Sequence, residues 1–273
     1  MVLTINYHEF CPYYEAKCDQ LTCPCPKWLA YEEAYKPGKR EEILQELGIK
    51  ADNQLQLMLD LQAHFATLFH PITDLTKIEV DHWVNSYLVC IEDELREVRE
   101  HLSWKPWSAK TDSNVKELQK ELIDIWHFLL DIMLVSGMTD GHELFNNYRH
   151  RYVEHYQVVQ PTDYLTLILT NEQTWMIQYH QLTDISQADR DWLILFYQNC
   201  VQDAIGAVRQ QISWKHWKKP SPHINATLLH TAIIELFKYL VDLFVLVGFD
   251  ADTWTEVYVM KNVENVLRQK HGY

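Results

Sequence analysis

Two pairs of acids at helical spacing carry the chemistry this sequence offers: Glu94 and Glu97 in CIEDELREV, and Glu121 and Asp124 in KELIDIWHF. Residues three apart lie on one face of a helix, a turn from each other. Each pair therefore aims two carboxylates the same way out of a largely apolar segment. If the two helices face each other, four negative charges meet, and like charges ~5 Å apart repel by roughly 3 kcal/mol at an effective dielectric of 20. Such a cluster persists with a cation or with shifted protonation. All-oxygen ligation suits Mg2+ or Mn2+, and those ions suit phosphate chemistry. Glu92 and Asp93 either widen the cluster or, for Asp93 above all, face solvent. His127 reads as a packed or solvent-side histidine rather than a ligand.

The elements that must position these acids are helices. Only 7 Gly and 9 Pro punctuate 273 residues, and 47% of the chain is apolar, enough for a sizeable core. Apolar residues recur at three- and four-residue spacing through 54–70, 84–102, 115–137, 143–157, 163–181, 190–212, 226–247 and 252–269. Breaks at Pro106, Pro161, Pro220 and Pro222 separate segments, and no alternating run is long enough for a sheet. The expected fold is all-α.

The chain also repeats itself. YLVCIEDELREVREHLSWKPW (87–107) aligns with YQNCVQDAIGAVRQQISWKHW (197–217), so that Cys90 falls on Cys200, Trp104 on Trp214 and Trp107 on Trp217. ELIDIWHFLLDIMLVSGM (121–138) aligns with AIIELFKYLVDLFVLVGF (232–249), and YRHRYVEH (148–155) with YVMKNVEN (258–265). The organisation read from this is an arm over 1–50 with its own helix near 40–47, a first helical repeat over 51–160 and a degenerate second repeat over 161–273. Together they make a tandem-repeated antiparallel helical bundle. The copies differ in chemistry. Glu92, Glu94, Glu97 and Glu121 fall on Gln202, Ala204, Ala207 and Ala232, while Asp203 and Glu235 remain acidic. The second copy instead ends in KNVENVLRQKHGY, where Lys261, Asn265 and Arg268 share a helix face. Two cations and an amide there fit phosphates and a base or sugar. The bland reading is a cationic helix end favourable to its dipole. The first copy has Arg151, His155 and Val158 in their place. Acids in one copy and polar grips in the other point to one composite site.

A formal net charge of −14 argues against nucleic acid or an anionic membrane as partner, although bound metal can reverse the local sign. No apolar run is long enough to span a bilayer, and MVLTINYHEF lacks the basic and apolar segments of a secretory signal. A cytoplasmic setting is expected, the host cytoplasm for a viral protein. Cys11, Cys18, Cys23 and Cys25, with His8 nearby, either form a small structural Zn2+ site or are reduced thiols of a variable arm. Cys90 and Cys200 read as packing residues.

Taken together, the two acidic pairs, MLDLQ (58–62), WKPW (104–107), DIWHF (124–128) and the closing KNxxNxxRQxxGY (261–273) resemble the all-α NTP pyrophosphatases. The likeness is to the dimeric dUTPases and related phage dCTPase–dUTPases, over roughly 54–160 and 226–273. The resemblance implies Mg2+-dependent hydrolysis of a deoxynucleoside triphosphate, dUTP or dCTP, to the monophosphate and pyrophosphate. It implies Mg2+ or Mn2+ on Glu94, Glu97, Glu121 and Asp124, with Glu97 orienting or deprotonating the attacking water. It implies nucleotide binding by Lys261, Asn265 and Arg268, Lys105 near the phosphates and Gln62 on the base. Lys105 has an even structural reading, because Lys215 matches it in the copy that lacks the acids. Many dimeric dUTPases carry asparagine four residues after the glutamine; Ala66 here leaves room for dCTP. Because the duplication lets the second copy replace a partner subunit, the expectation is a monomer acting as a pseudo-dimer, or a homodimer. The alternatives are a catalytically inactive nucleotide-binding or interaction protein, and a pyrophosphatase for a modified or purine nucleotide.

Overall fold

A computed structural model describes residues 42, 44–45, 48, 51, 53–67, 77–105, 113–153, 164–180, 185–215 and 224–270. Among these residues there are eight α-helices and no strand: α1 Gln54–Ala66, α2 Lys77–His101, α3 Val115–Val135, α4 Gly141–Tyr152, α5 Tyr164–His180, α6 Gln187–Gln210, α7 Ala226–Val247 and α8 Ala251–Lys270. The all-α expectation holds. Of the expected 40–47 helix, residues 42, 44 and 45 are helical. The four N-terminal cysteines, His8, Trp107, Glu154 and His155 lie outside the described residues.

The repeat is visible as helix register. Helix starts at 54, 77, 115 and 141 recur at 164, 187, 226 and 251, displaced by 110, 110, 111 and 110 residues. Matching caps set this register. Asn114 accepts from Glu117 N at the start of α3, and Asn225 from Leu228 N at the start of α7. Asp140 and Asp250 do the same for α4 and α8. After α3 and α7 the chain turns through Gly137 (φ 84°) and Gly248 (φ 87°), conformations glycine adopts without strain. The residues that follow close six-to-one bonds, Met138 N to Met133 O and Phe249 N to Phe244 O. Helix α2 begins seven residues before the periodicity suggested, because its first turns (KIEVDHW) carry mostly polar side chains and the apolar stripe starts later.

The chain divides into two compact units, Lys50–Tyr258 and Met1–Ile49 with Val259–Tyr273. Within the larger unit α2 packs on α3 and α6 on α7, and α3 packs on α7 to join the copies. The seam is aromatic: Trp126 is fully buried, with ring centroids 5.4 Å from Phe237 and 5.2 Å from Trp254. The fourth helices are exchanged. Tyr148 of α4 donates to Glu172 of the second copy, while Tyr258 of α8 reaches Met58 O (2.9 Å) and Gln62 Oε1 (3.0 Å) of the first. Charged pairs cross between copies as well. Arg209 makes a two-pronged contact with Glu92 at 2.5 and 2.7 Å, and Arg99 donates to Gln198 at 2.8 Å. Asp191 of α6 accepts from Ser103 N (3.0 Å) and Ser113 Oγ (2.6 Å), tying together the residues that flank the WKPW segment. No described helix is long and apolar enough to cross a membrane.

Candidate metal centre

Helices α2 and α3 are antiparallel neighbours. Tyr87 meets Phe128, Glu94 and Glu97 meet Glu121, and His101 meets Glu117 and Glu121, so rising numbers on α2 pair with falling numbers on α3. The apolar stripe of α2 (Val84, Leu88, Ile91, Leu95, Val98) is buried. The flanking face carries Trp83, Tyr87, Cys90, Glu94 and Glu97, spaced by four, three, four and three residues. Opposite it α3 presents Glu121 and Phe128.

Carboxylate oxygens of Glu94, Glu97 and Glu121 lie within 4.8 Å of one another. Glu94 and Glu121 are half-buried and Glu97 is exposed. Asp124 stands one turn from Glu121, half-buried, and is not part of this group. Glu92 points to Arg209, and Asp93 is exposed and pairs with Arg96. Lys105 is exposed, its Nζ 5.6 Å from the Trp104 ring; Lys215 repeats this over Trp214 at 5.1 Å. Both copies thus build the same cation–π contact, as a structural turn would. Lys261, Asn265 and Arg268 are half-buried on α8; Arg268 pairs with Glu264 and lies 3.5 Å from Asn265 Oδ1.

Gln62 has no exposed surface. Its Oε1 receives His127 Nδ1 at 2.7 Å and Tyr258 Oη at 3.0 Å. His127 is 5% exposed and stacks on Tyr258 with centroids 4.5 Å apart, so of the packed and solvent-side readings left open by the sequence it takes the packed one. Asp131 is 6% exposed, and its Oδ1 lacks a hydrogen-bond partner among the described residues. Burial pushes its carboxyl up to about 7, and the Gln62 amide holds it from rising further. An unfolded aspartate titrates near 3.9. The unfolded chain therefore gains by ionising as pH rises from about 4 to 7, and stability falls over that window before levelling off. Asp131→Asn is expected to remove the slope and to raise stability at pH 8 by up to about 4 kcal/mol, with no gain at pH 3.5. Denaturant titrations across pH measure this; parallel slopes in both proteins would contradict it.

The sequence reading missed three groups near the acids. One is the aromatic wall Trp83–Tyr87–Phe128, with centroids 5.7 and 6.3 Å apart and rings inclined by 28° and 29°. Its signal was the spacing that carries the Glu94 face back to Trp83. Burial pushes the Tyr87 hydroxyl and, nearer Glu94, the Cys90 thiol above their ordinary values. The others are His101, four residues beyond Glu97, and Glu117, four before Glu121.

The sequence pattern of the dUTPase family matches residues 54–273, and the chain belongs to that family. It is similar to a dCTP pyrophosphatase of Enterobacteria phage T4, 30% identical over 134 residues, covering 37% of this chain and 77% of that protein. A DNA replication protein of the same phage is also 30% identical over 134 residues, covering 37% of this chain and 34% of its own length. No solved structure matches the chain.

Proposed function

We propose that this chain is a nucleoside triphosphate pyrophosphatase, hydrolysing dUTP, dCTP or both to the monophosphate and pyrophosphate with a divalent metal. The observation that carries the reading is the convergence of Glu94, Glu97 and Glu121 within 4.8 Å. Three carboxylates so close repel one another, and their all-oxygen donor set fits Mg2+ or Mn2+. Glu94, Glu97 and Glu121 would hold the metal, with Asp124 completing the set the resemblance implies. When bound, such ions neutralise phosphate charge and lower the pKa of bound water.

The remaining roles fall to the chain's own side chains. Glu97 is the most open of the three acids, and it orients the attacking water and takes its proton. The new bond joins water oxygen to phosphorus as the P–O link to the pyrophosphate leaving group breaks. Little covalent help is needed, because positioning and charge neutralisation do most of the work. Tyr87, Phe128 and Trp83 offer a flat wall for a base about two helical turns from the acids. Lys261, Asn265 and Arg268 bind the nucleotide, with Lys105 at the phosphates. Gln62 has no free surface for a base, so its contact would run through the Gln62–His127–Asp131 network behind the aromatic wall. The family is named for dUTP and the T4 relative for dCTP, uracil against cytosine, and the small Ala66 is compatible with either.

A panel of pyrimidine, purine and modified dNTPs with Mg2+, resolved by phosphorus NMR, tests the proposal. Monophosphate and pyrophosphate from dUTP or dCTP are expected. Absence of pyrophosphate with every nucleotide would remove the enzyme reading and leave a nucleotide-binding protein.

A further inference from the structure

A cavity of about 380 Å3 lies between α4 and the start of α7, lined by residues other than the acids between α2 and α3. Pockets for small ligands begin at about 300 Å3. One wall is a face of α4 with Glu143, Asn147, His150 and Arg151. The other is a face of α7 with Thr227, His230 and Thr231, together with the buried Ile234. Helices that pack on each other usually meet through apolar stripes. Here two largely polar faces meet and leave room between them.

Contacts aim two of these side chains. Arg151 Nη1 donates to Thr231 O at 3.0 Å, from one wall to the other. A guanidinium carries five N–H donors, so one backbone contact fixes its place without using it up. His230 Nε2 donates to Ser136 O at 2.8 Å, since a carbonyl only accepts, and this sets Nδ1 as the acceptor of the neutral ring. His150 adds an exposed imidazole beside Arg151. Helix α7 begins at Ala226, so the positive end of its dipole meets the same space.

The duplication shows which charges differ here. Glu117 and Lys120, 2.8 Å apart near the start of α3, fall on Leu228 and Thr231, and Glu121 falls on Ala232. The first turns of α7 thus carry hydroxyls and an imidazole where α3 carries Lys116, Glu117, Lys120 and Glu121. Acids repel a phosphate unless a cation intervenes, whereas the α7 wall needs no metal to receive one. Arg151 falls on Lys261, so both copies keep a cation at that register. Glu143 stands eight residues before Arg151, about 12 Å along the helix. A bare diphosphate filling the groove would lie against that carboxylate. A phosphate monoester would instead turn hydroxyl or amide donors toward it.

We propose that the α4–α7 groove is a metal-independent site for the phosphate monoester of a nucleoside or a sugar. The phosphate lies at Arg151 and His150, and the ligand's hydroxyl or amide donors lie at Asn147 and Glu143. The inference does not rest on the pyrophosphatase reading, because the groove uses none of the carboxylate group.

The probes are dUMP, deoxyribose 5-phosphate and pyrophosphate, each titrated by calorimetry into the full-length protein in EDTA. The wild type is expected to bind dUMP, with shifts in the NMR signals of the His150 and His230 rings. Arg151→Gln, an exposed position, is expected to weaken dUMP by at least about tenfold, the worth of one charged hydrogen bond, with unchanged circular dichroism. Glu143→Gln is expected to narrow the preference for dUMP over pyrophosphate. Deoxyribose 5-phosphate binding as tightly as dUMP assigns the groove to sugar phosphates, and tighter dUMP assigns it to nucleotides; either supports the site. Neither ester binding in EDTA, pyrophosphate binding more tightly than both, or affinity lost in Lys261→Gln but kept in Arg151→Gln would overturn it. None of these results bears on metal-dependent turnover, which the dNTP panel tests separately.

Discussion

Glu121→Gln is expected to lower kcat/KM for the best dNTP by at least about a thousandfold, roughly 4 kcal/mol of transition-state stabilisation. The size of the effect follows from position. Among the described residues, Glu121 is the side chain that lies within 4.8 Å of Glu94 and Glu97 on one side and of His101 and Glu117 on the other. Glutamine keeps the volume and one oxygen but removes the charge on which divalent binding depends. Substrate binding through groups outside the cluster should persist, so the loss should fall on kcat more than on KM. Asp203→Ala is the control: Asp203 sits at the equivalent of Asp93 in the second copy, exposed, and its loss should change turnover little. Steady-state kinetics with saturating Mg2+ decide it, and a Glu121→Gln enzyme within tenfold of wild type would remove the carboxylate cluster from the reaction.

The second large effect is on stability, in the copy without the acids. Lys238 Nζ lies 2.6 Å from Asp242 and 3.5 Å from Glu172, with both carboxylates essentially buried. Rings of Trp175, Tyr239 and Tyr197 surround the ammonium at 4.7, 5.1 and 5.8 Å. Burial pushes the Asp242 carboxyl well up, and Lys238 opposes that shift. Lys238→Met leaves two buried acids without their cation, which should cost about 3–5 kcal/mol at pH 7. The loss should shrink as pH falls, since Asp242 then takes up a proton and the uncompensated charge disappears. Denaturant midpoints at pH 5 and pH 8 measure this. Equal stability of the variant and the wild type at both would contradict the assignment of Lys238 as the counter-ion.

The two interiors are versions of one design. Gln62, His127, Asp131 and Tyr258 occupy in the first copy the places that Glu172, Lys238, Asp242 and Tyr148 occupy in the second. The first copy uses an amide and an imidazole around its buried aspartate, the second an ion pair. Lys238, set among three aromatic rings, fills the second copy's aromatic recess with its own side chain.

Much of this was legible in the sequence, and the parts that were not share a cause. Apolar periodicity placed the starts of seven of the eight described helices within three residues, and missed the start of α2 by seven. The acidic pairs were readable because three-residue spacing is a local property. The pairings that organise the site are not local. Arg209 on Glu92, Asp191 on Ser103 and Ser113, and Tyr258 on Gln62 join residues 78 to 196 positions apart, and no window of sequence carries that information. Glu92 looked like a potential member of the cluster because it lies two residues from Glu94; its guanidinium partner sits on the other copy. The resemblance put Gln62 on the base, whereas its side chain is buried with its Oε1 taken by His127 and Tyr258. His101 escaped notice because its significance depends on the antiparallel pairing of α2 with α3, which brings Glu117 and Glu121 to it.

The most direct test of the central claim is anomalous diffraction at the manganese edge, from crystals grown with Mn2+ and a non-hydrolysable dUTP analogue. The account expects a peak within coordination distance of Glu94, Glu97 and Glu121, with the analogue's phosphates against it. Manganese bound elsewhere, or nucleotide bound away from those three carboxylates, would contradict it.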